Sequence, residues 1–325
     1  MDILLTGSVA YDYLMTFPGL FKEQILPERL QSISLSFLVD SMSKVRGGIA
    51  PNIAYTMALL GTRPRIMATV GEDFAEYRAW LEGKGVDTSL MQVVPGEFTA
   101  SFFATTDNDS AQIASFYPGA MGHSATQSLK SLPTPPDLVV VSPSAPDAMM
   151  KFAAECRELG VRYLYDPSQQ VLRLDGPELA RDMDGAYFLF CNDYEFGLIC
   201  KKTGWDLPQM LKHISVIVVT RGKDGADLYT AGQEYFVPTV PEREIVDPTG
   251  VGDAFRGGFL TGYARGWDWT LCGQVGSLAA VYCLEQRGPQ SHSYTRQEFV
   301  TRFRQHFDDA GKLDELLEVT NLTRK

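Results

Sequence analysis

The chain has 325 residues, 45% of them hydrophobic and 21% charged, with 29 glycines and 18 prolines dispersed along it, which is the composition of a globular protein and excludes a disordered or fibrous one. Its formal net charge of -11 argues against nucleic acid or an anionic membrane as the main partner, because both call for a basic face. No run reaches the ~18 apolar residues that span a bilayer, and "MDILLTGSVAYDYLM" carries acids where a secretion signal has a basic stretch, so a cytoplasmic protein is expected.

In chain order, "DILLTG" reads as a short strand, and residues 28 to 46 follow with Ser-rich, partly alternating character. "GIAPNIAYTMALLG" predicts a helix closing on glycine, "RIMATVG" a strand, and "DFAEYRAWLEGKG" a second helix. Residues 97 to 117 alternate again around the turn-like "DNDS". "DLVVVSPS", "RYLYDPS", "AYFLFCN" and "SVIVVTRG" are strand-like, with the helix "DAMMKFAAECRELG" after the first of them. "REIVD" predicts a strand, "DAFRGGFLTGYA" a helix, and "DDAGKLDELLEVTNLTRK" a polar terminal helix.

Alternating strands and helices imply an α/β fold with a mostly parallel sheet covered by helices on both faces. A single domain over residues 1–325 is expected. Antiparallel strands from about 13–46 and 97–118 would form a small β-sheet lid over the carboxyl ends of the parallel strands, where open α/β sheets bind ligands. Five cysteines without CxxC spacing read as reduced, mostly buried thiols. Four histidines, His123, His213, His292 and His306, lack metal-ligand spacing and read as surface or cap residues.

The chemistry concentrates in "EIVDPTGVGDAFRGGFLTGYARG", residues 244 to 266. A tight strand-to-helix turn with glycines at 250 and 252 offers unpaired N–H groups and a helix dipole to an anion such as phosphate. Asp253 suits a helix N-cap equally well on spacing alone. The turn is neither a P-loop nor a dinucleotide fingerprint, for no Lys-Ser/Thr and no third glycine follow.

"DPTGVGDAFRGGFL" resembles the C-terminal signature of the ribokinase-like (PfkB) carbohydrate and nucleoside kinases. Three other stretches resemble that family in the same order: "RGGIAPN" (Arg46 to Asn52), "NDYE" (192 to 195) and "TRGKDGA" (220 to 226). The resemblance implies Asp253 as general base and the turn at Gly250 and Gly252 as anion hole for the transferring phosphoryl group. It implies ATP near Asn192, Thr220, Arg221, Gly222, Gly225 and Gly252, with Glu195 organising Mg²⁺ through water. A monovalent cation, K⁺, is implied near Asp247, Thr249 and Gly288.

A finer likeness is to bacterial adenosine kinases of the mycobacterial type, carried by "TGSVAYDYLMTFPG", "SLSFLVD", "AQIASFYPGAM" and "DPSQQ". Adenosine is then the expected substrate, phosphorylated on its 5′-hydroxyl. Asp12 can accept from both ribose hydroxyls, with a turn residue as the plainer alternative, and Gly48 and Asn52 would complete the sugar clamp. Ser8 and Ser36 are candidates for the base or ribose. Phe102 and Phe116 are candidates for stacking on the purine, Met121 for its border, and Gln169 and Gln170 for its edge. Strand edges in a lid need covering, so a homodimer through the lid is expected. The rival readings are a kinase for ribose, fructose, guanosine or cytidine, a silent nucleoside-binding protein, and a nicotinamide oxidoreductase.

Overall fold

The apolar runs build one central sheet in the computed structural model, which describes residues 1–25 and 35–318. In chain order the strands are β1 (Ile3–Thr6), β2 (Ala10–Thr16), β3 (Ser41–Gly47), β4 (Arg65–Met67), β5 (Thr69–Val70), β6 (Gln92–Val93) and β7 (Ala100–Thr106). There follow β8 (Gln112–Tyr117), β9 (Leu138–Val141), β10 (Arg162–Tyr165), β11 (Phe188–Asn192), β12 (Val216–Thr220), β13 (Ala226–Thr230) and β14 (Gln233–Val237). The main sheet has the order β14-β13-β12-β11-β10-β9-β1-β4. It is parallel from β4 to β12, and β13 and β14 extend it as an antiparallel hairpin.

These strands are apolar throughout because both faces are covered. Ile3, Leu5, Leu138 and Val140 enter one core, and Leu4, Val139 and Val141, the residues between them, enter the other. Helices Ile49–Leu59, Val251–Ala264 and Trp269–Leu284 close the first core with Ile53, Phe259 and Leu278. Helix Pro146–Leu159 closes the second with Phe152, beginning on proline and ending at Gly160 in the left-handed conformation, φ 67°.

The lid is a separate sheet of order β3-β2-β7-β8. Its outer pairs are antiparallel, as expected, but β2 and β7 run parallel. The first lid strand begins at Ala10, so Asp12 lies within a strand and not in a turn. Residues 26–34, part of the first lid segment read from the sequence, lie outside the described residues.

Three expectations fail. "REIVD" forms no strand: Pro241 and Pro248 bracket it without N–H groups to offer a ladder, and Val246 and Asp247 donate instead to the Leu284 carbonyl (3.0 and 3.1 Å). The terminal segment is no α-helix but a short 3₁₀ turn, Lys312–Leu316, anchored by buried Leu313 and Leu316, and residues 319–325 lie outside the described part. His292 is no surface residue; it is fully buried against Tyr55, and burial pushes its pKa down to about 4, so it is neutral. Among the described residues no helix is long and apolar enough to cross a membrane.

Candidate active site

Gly250 is the N-cap of helix Val251–Ala264 with φ 78°, and a Cβ there would lie 2.3 Å from the Cβ of Pro289, so the turn needs glycine on two counts. The Val251 N–H is taken by the Pro248 carbonyl at 3.3 Å. Those of Gly250, Gly252 and Asp253 have no backbone partner among the described residues. They leave a helix start open to an anion.

Asp253 caps nothing. It stands three residues inside the cap, and its carboxylate accepts from Asn52 Nδ2 at 2.8 Å across 201 positions of sequence. Burial pushes its pKa up to about 7, and the nearby Asp166 and Glu195 push the same way, against Arg256 and the Asn52 hydrogen bond. A carboxylate so tuned is poised to take a proton near neutral pH.

Arg256 comes one helical turn after Asp253, so both project from one face of the helix. Its Nη2 donates to Asp166 Oδ1 at 2.7 Å, and Ser142 Oγ donates to the other oxygen at 3.3 Å. Burial raises the pKa of Asp166 and of Glu195, so the group as a whole holds its charges at a cost that nearby positive charge relieves. Arg256 Nε is buried without a partner.

A cavity of about 180 Å³ opens here, lined by Ser168, Asn192, Glu195, Thr220, Gly250, Gly252, Asp253 and Arg256. Asn192 and Glu195 form a reciprocal cap: Asn192 Oδ1 accepts from the Glu195 N–H at 2.8 Å, and Glu195 Oε2 accepts from the Asn192 N–H at 2.9 Å. A second cavity of about 500 Å³ adjoins it through Asn192, Thr220 and Gly252. Gly222, Gly225, Val240, Phe255 and Val281 line its mostly apolar walls, which suit a flat heterocycle with its phosphates toward the glycine turn. Arg221 stays out of it, its guanidinium turned to Asp227 and to the Tyr229 hydroxyl at 3.3 Å.

On the lid, strand register sets four residues in one row: Val45, Asp12, Phe102 and Phe116 are direct cross-strand partners, so their side chains share a face. That face turns toward the loop of Gly288 and Pro289, which itself packs on Gly250, because Val45 Cγ1 is 3.1 Å from where a Gly288 Cβ would lie. Burial, with Asp247 adding to it, lifts the Asp12 pKa to about 6. Asp247 goes the other way: burial opposes its charge, but hydrogen bonds from the Thr249 and Gly288 N–H groups, each 2.9 Å, hold it below the ordinary value. Asp247, Thr249 and Gly288 thus meet as expected.

The remaining candidates divide. Gly48, φ 95°, lets the chain turn against Ser8, whose Oγ accepts from the Ile49 N–H at 3.2 Å. Asn52 has both ends of its amide engaged, for Oδ1 accepts from Gln290 Nε2 at 2.9 Å. Gln170 is buried and donates to the Ser144 carbonyl at 2.8 Å, while Gln169 is exposed. Met121 is buried with Ala10 and Ala100 beneath the lid. Ser36 lies exposed on the segment before β3. Sequence reasoning missed Arg256, Asp166, Ser168 and Gln290. Asp166 and Ser168 lie in the quoted "DPSQQ" and Arg256 is a charge set among the small and apolar residues of "DAFRGGF", whereas Gln290 left no signal.

Comparison with known proteins agrees with this geometry. Residues 6–296 match the pfkB family carbohydrate kinase model. A nucleoside kinase of Methanothermobacter thermautotrophicus is 31% identical over 93% of this chain and 95% of its own length. The structure of a Burkholderia thailandensis nucleoside kinase with inosine is similar at TM-score 0.83 and 36% identity, covering 94% of this chain and 98% of that one. The nucleoside kinase structure of Methanocaldococcus jannaschii is similar at TM-score 0.85 and 26% identity, covering 94% and 99%. The chain therefore belongs to the pfkB family of carbohydrate kinases, and its chemistry is phosphoryl transfer to an alcohol.

Proposed function

We propose that the protein is an ATP-dependent nucleoside kinase acting on the 5′-hydroxyl of adenosine to give AMP and ADP. The observation that carries the nucleoside is the lid row, which sets an acceptor for vicinal hydroxyls, Asp12, beside two rings, Phe102 and Phe116, above the glycine turn. The ring faces stack on a base, and the carboxylate accepts from the 2′ and 3′ hydroxyls. Asp253 takes the proton of the 5′-hydroxyl, and the free N–H groups of the turn with Arg256 stabilise charge on the phosphoryl group.

Among the described residues no three His, Cys, Asp or Glu side chains form a metal cage. Asp166, Glu195 and Asp253 nevertheless outnumber Arg256 around the small cavity, which fits a divalent cation held largely by phosphate oxygens and water. Bound Mg²⁺ neutralises phosphate charge, and Glu195 would orient its water. K⁺ beside Asp247, Thr249 and Gly288 is the matching proposal for the monovalent site.

Inosine is the second reading, since the Burkholderia relative was solved with it. Initial rates with adenosine, inosine, guanosine, cytidine, ribose and fructose at fixed ATP and Mg²⁺ decide between them. The highest kcat/KM is expected for adenosine, and a higher value for inosine or a sugar overturns that choice. A homodimer through the lid is proposed from exposed Met42, Ile113 and Tyr117 on its edge strands. Sedimentation of Ile113→Lys against the parent chain tests it, with dissociation expected.

A further inference from the structure

We propose that Tyr77 and Gln290 are positioning residues for this reaction, forming with Asn52 a one-way relay of hydrogen bonds from the Gly47 carbonyl, at the end of lid strand β3, to the carboxylate of Asp253. The inference rests on Asp253 being the base. All three relay side chains are buried, Tyr77 completely and Asn52 and Gln290 to 6% exposure, so water does not compete for their partners.

One fixed end determines the direction of the whole chain. A carbonyl oxygen only accepts, so the Tyr77 hydroxyl donates to Gly47 at 2.9 Å. That hydroxyl, its proton committed, has only lone pairs left for Gln290, which must present its amide nitrogen. The same nitrogen has a second N–H, and this goes to Asn52 Oδ1 at 2.9 Å. Asn52 must then point its own nitrogen at Asp253 Oδ2, 2.8 Å away. Amide orientation is ordinarily assigned from such a network, and here the network permits one answer. Gln290 accepts a cost for it, because its Oε1 is left buried and without a partner. Turning Gln290 over would give that oxygen no donor at Tyr77 and would set it against Asn52 Oδ1.

The consequence is that Asp253 always faces a donor, which fixes one carboxylate oxygen and leaves the other for the substrate proton. The relay also ties the base to the sugar side of the cleft. Gly47 lies against Asp12, whose Oδ2 is 2.7 Å from where a Gly47 Cβ would sit. The carbonyl that starts the relay therefore belongs to the residue beside the proposed ribose acceptor. The ionised carboxylate of Asp253 at the far end also only accepts, so both ends of the relay demand the same sense.

The test reverses the polarity without changing the shape. Gln290→Glu keeps the volume but only accepts when ionised, so it draws the Asn52 nitrogen away and turns an oxygen toward Asp253. Gln290→Met keeps the shape and imposes no direction, and Tyr77→Phe removes the anchor alone. We expect kcat for the nucleoside to fall about 100-fold in Gln290→Glu and about 10-fold in Gln290→Met and Tyr77→Phe, with KM for ATP unchanged in all three. Where Asn52→Leu has already removed the last link, Gln290→Met should cost no further kcat. The acid limb of the pH profile should also move up in Gln290→Met, with Asp166, Glu195 and Arg256, the charges around Asp253, all retained. Equal kcat in Gln290→Glu and Gln290→Met, or full additivity with Asn52→Leu, overturns the relay. If Gln290→Glu does not fold, Tyr77→Phe with wild-type kcat and an unmoved acid limb overturns it as well. Asp253→Asn separates the two levels: wild-type turnover there removes the base and the relay together, whereas loss of turnover there beside unaffected Gln290 and Tyr77 variants removes the relay alone.

Discussion

Asp253 accepts a hydrogen bond from buried Asn52 and lies beside the charge of Arg256, whereas Phe116 on the lid keeps 48% of its surface in water. The difference follows from what each region is built on. The glycine turn opens a helix whose Phe255 and Phe259 are packed in the first core of the main sheet. The lid sheet meets the first core through Tyr11, with Tyr13 packed against it, while Ala10 and Ala100 form a small cluster of their own with Met121, and its far strand β8 is exposed along its whole length. Bond making needs positions fixed to a fraction of an ångström, and selecting a flat base needs only a face to stack on. Buried, over-determined groups should therefore govern kcat, and exposed lid groups should govern KM for the nucleoside.

Asp253→Asn is the strongest attempt to break that division. Turnover should fall about 10²- to 10⁴-fold, with nucleoside affinity by calorimetry nearly unchanged. The same substitution should raise stability at pH 8. Folding lifts this carboxyl from its ordinary 3.8 to about 7, so its protonated form is favoured in the folded state. That contribution is fully present below the unfolded value and is lost as pH rises toward 7. The gain in Tm for Asp253→Asn should accordingly vanish near pH 4 and be largest above 7, the mark of a site that gives up stability for function. In the parent enzyme kcat/KM should decline with one-proton slope below about pH 7, as the base becomes protonated.

Arg256 comes next in size. Arg256→Met should lower kcat about 10- to 1000-fold by removing a buried cation beside the phosphoryl site. It should also destabilise by about 3–5 kcal/mol, because Asp166 is left buried and unpaired. Adding Asp166→Asn should recover most of the melting temperature and none of the turnover. Recovery of both would mean that the ion pair is structural.

These two residues also mark how far the sequence could be read. The parallel strands of the main sheet were legible because parallel strands buried on both faces are written as unbroken apolar runs, whereas the antiparallel hairpin of β13 and β14 was not read. The glycine turn was legible because Gly250 must be left-handed and cannot carry a Cβ beside Pro289. Asp166 and Gln290 were not, since each acts through a partner, Arg256 or Asn52, that lies 90 or 238 positions away. "REIVD" misled for a related reason: apolar β-branched residues predict a strand only if a partner strand waits for them, and Ile245 and Val246 lie exposed against a helix end. Arg221 was drawn from its motif, but its guanidinium turns to Asp227, for proximity in sequence does not aim a side chain.

Within the lid the comparison can be sharpened to a single step along one strand. Phe102 and Phe103 are adjacent in β7, so their side chains leave on opposite faces. Phe102 pairs with Phe116 and Asp12 on the cleft face, whereas Phe103 pairs with Tyr13 on the other and stacks on it at 4.8 Å and 10°. Phe116→Ala should raise nucleoside KM about 5- to 150-fold, the equivalent of the ~1–3 kcal/mol of one base stack, with kcat changed far less. Phe103→Ala removes a ring of the same size from the same strand. It should lower Tm slightly, by loss of the Tyr13 stack, and leave nucleoside KM and kcat within about two-fold. If the two substitutions raise KM alike, the lid acts by its overall packing and the row of Asp12, Phe102 and Phe116 is not the base platform. If only Phe116 matters, the one-residue alternation of a β-strand has set which ring meets the substrate.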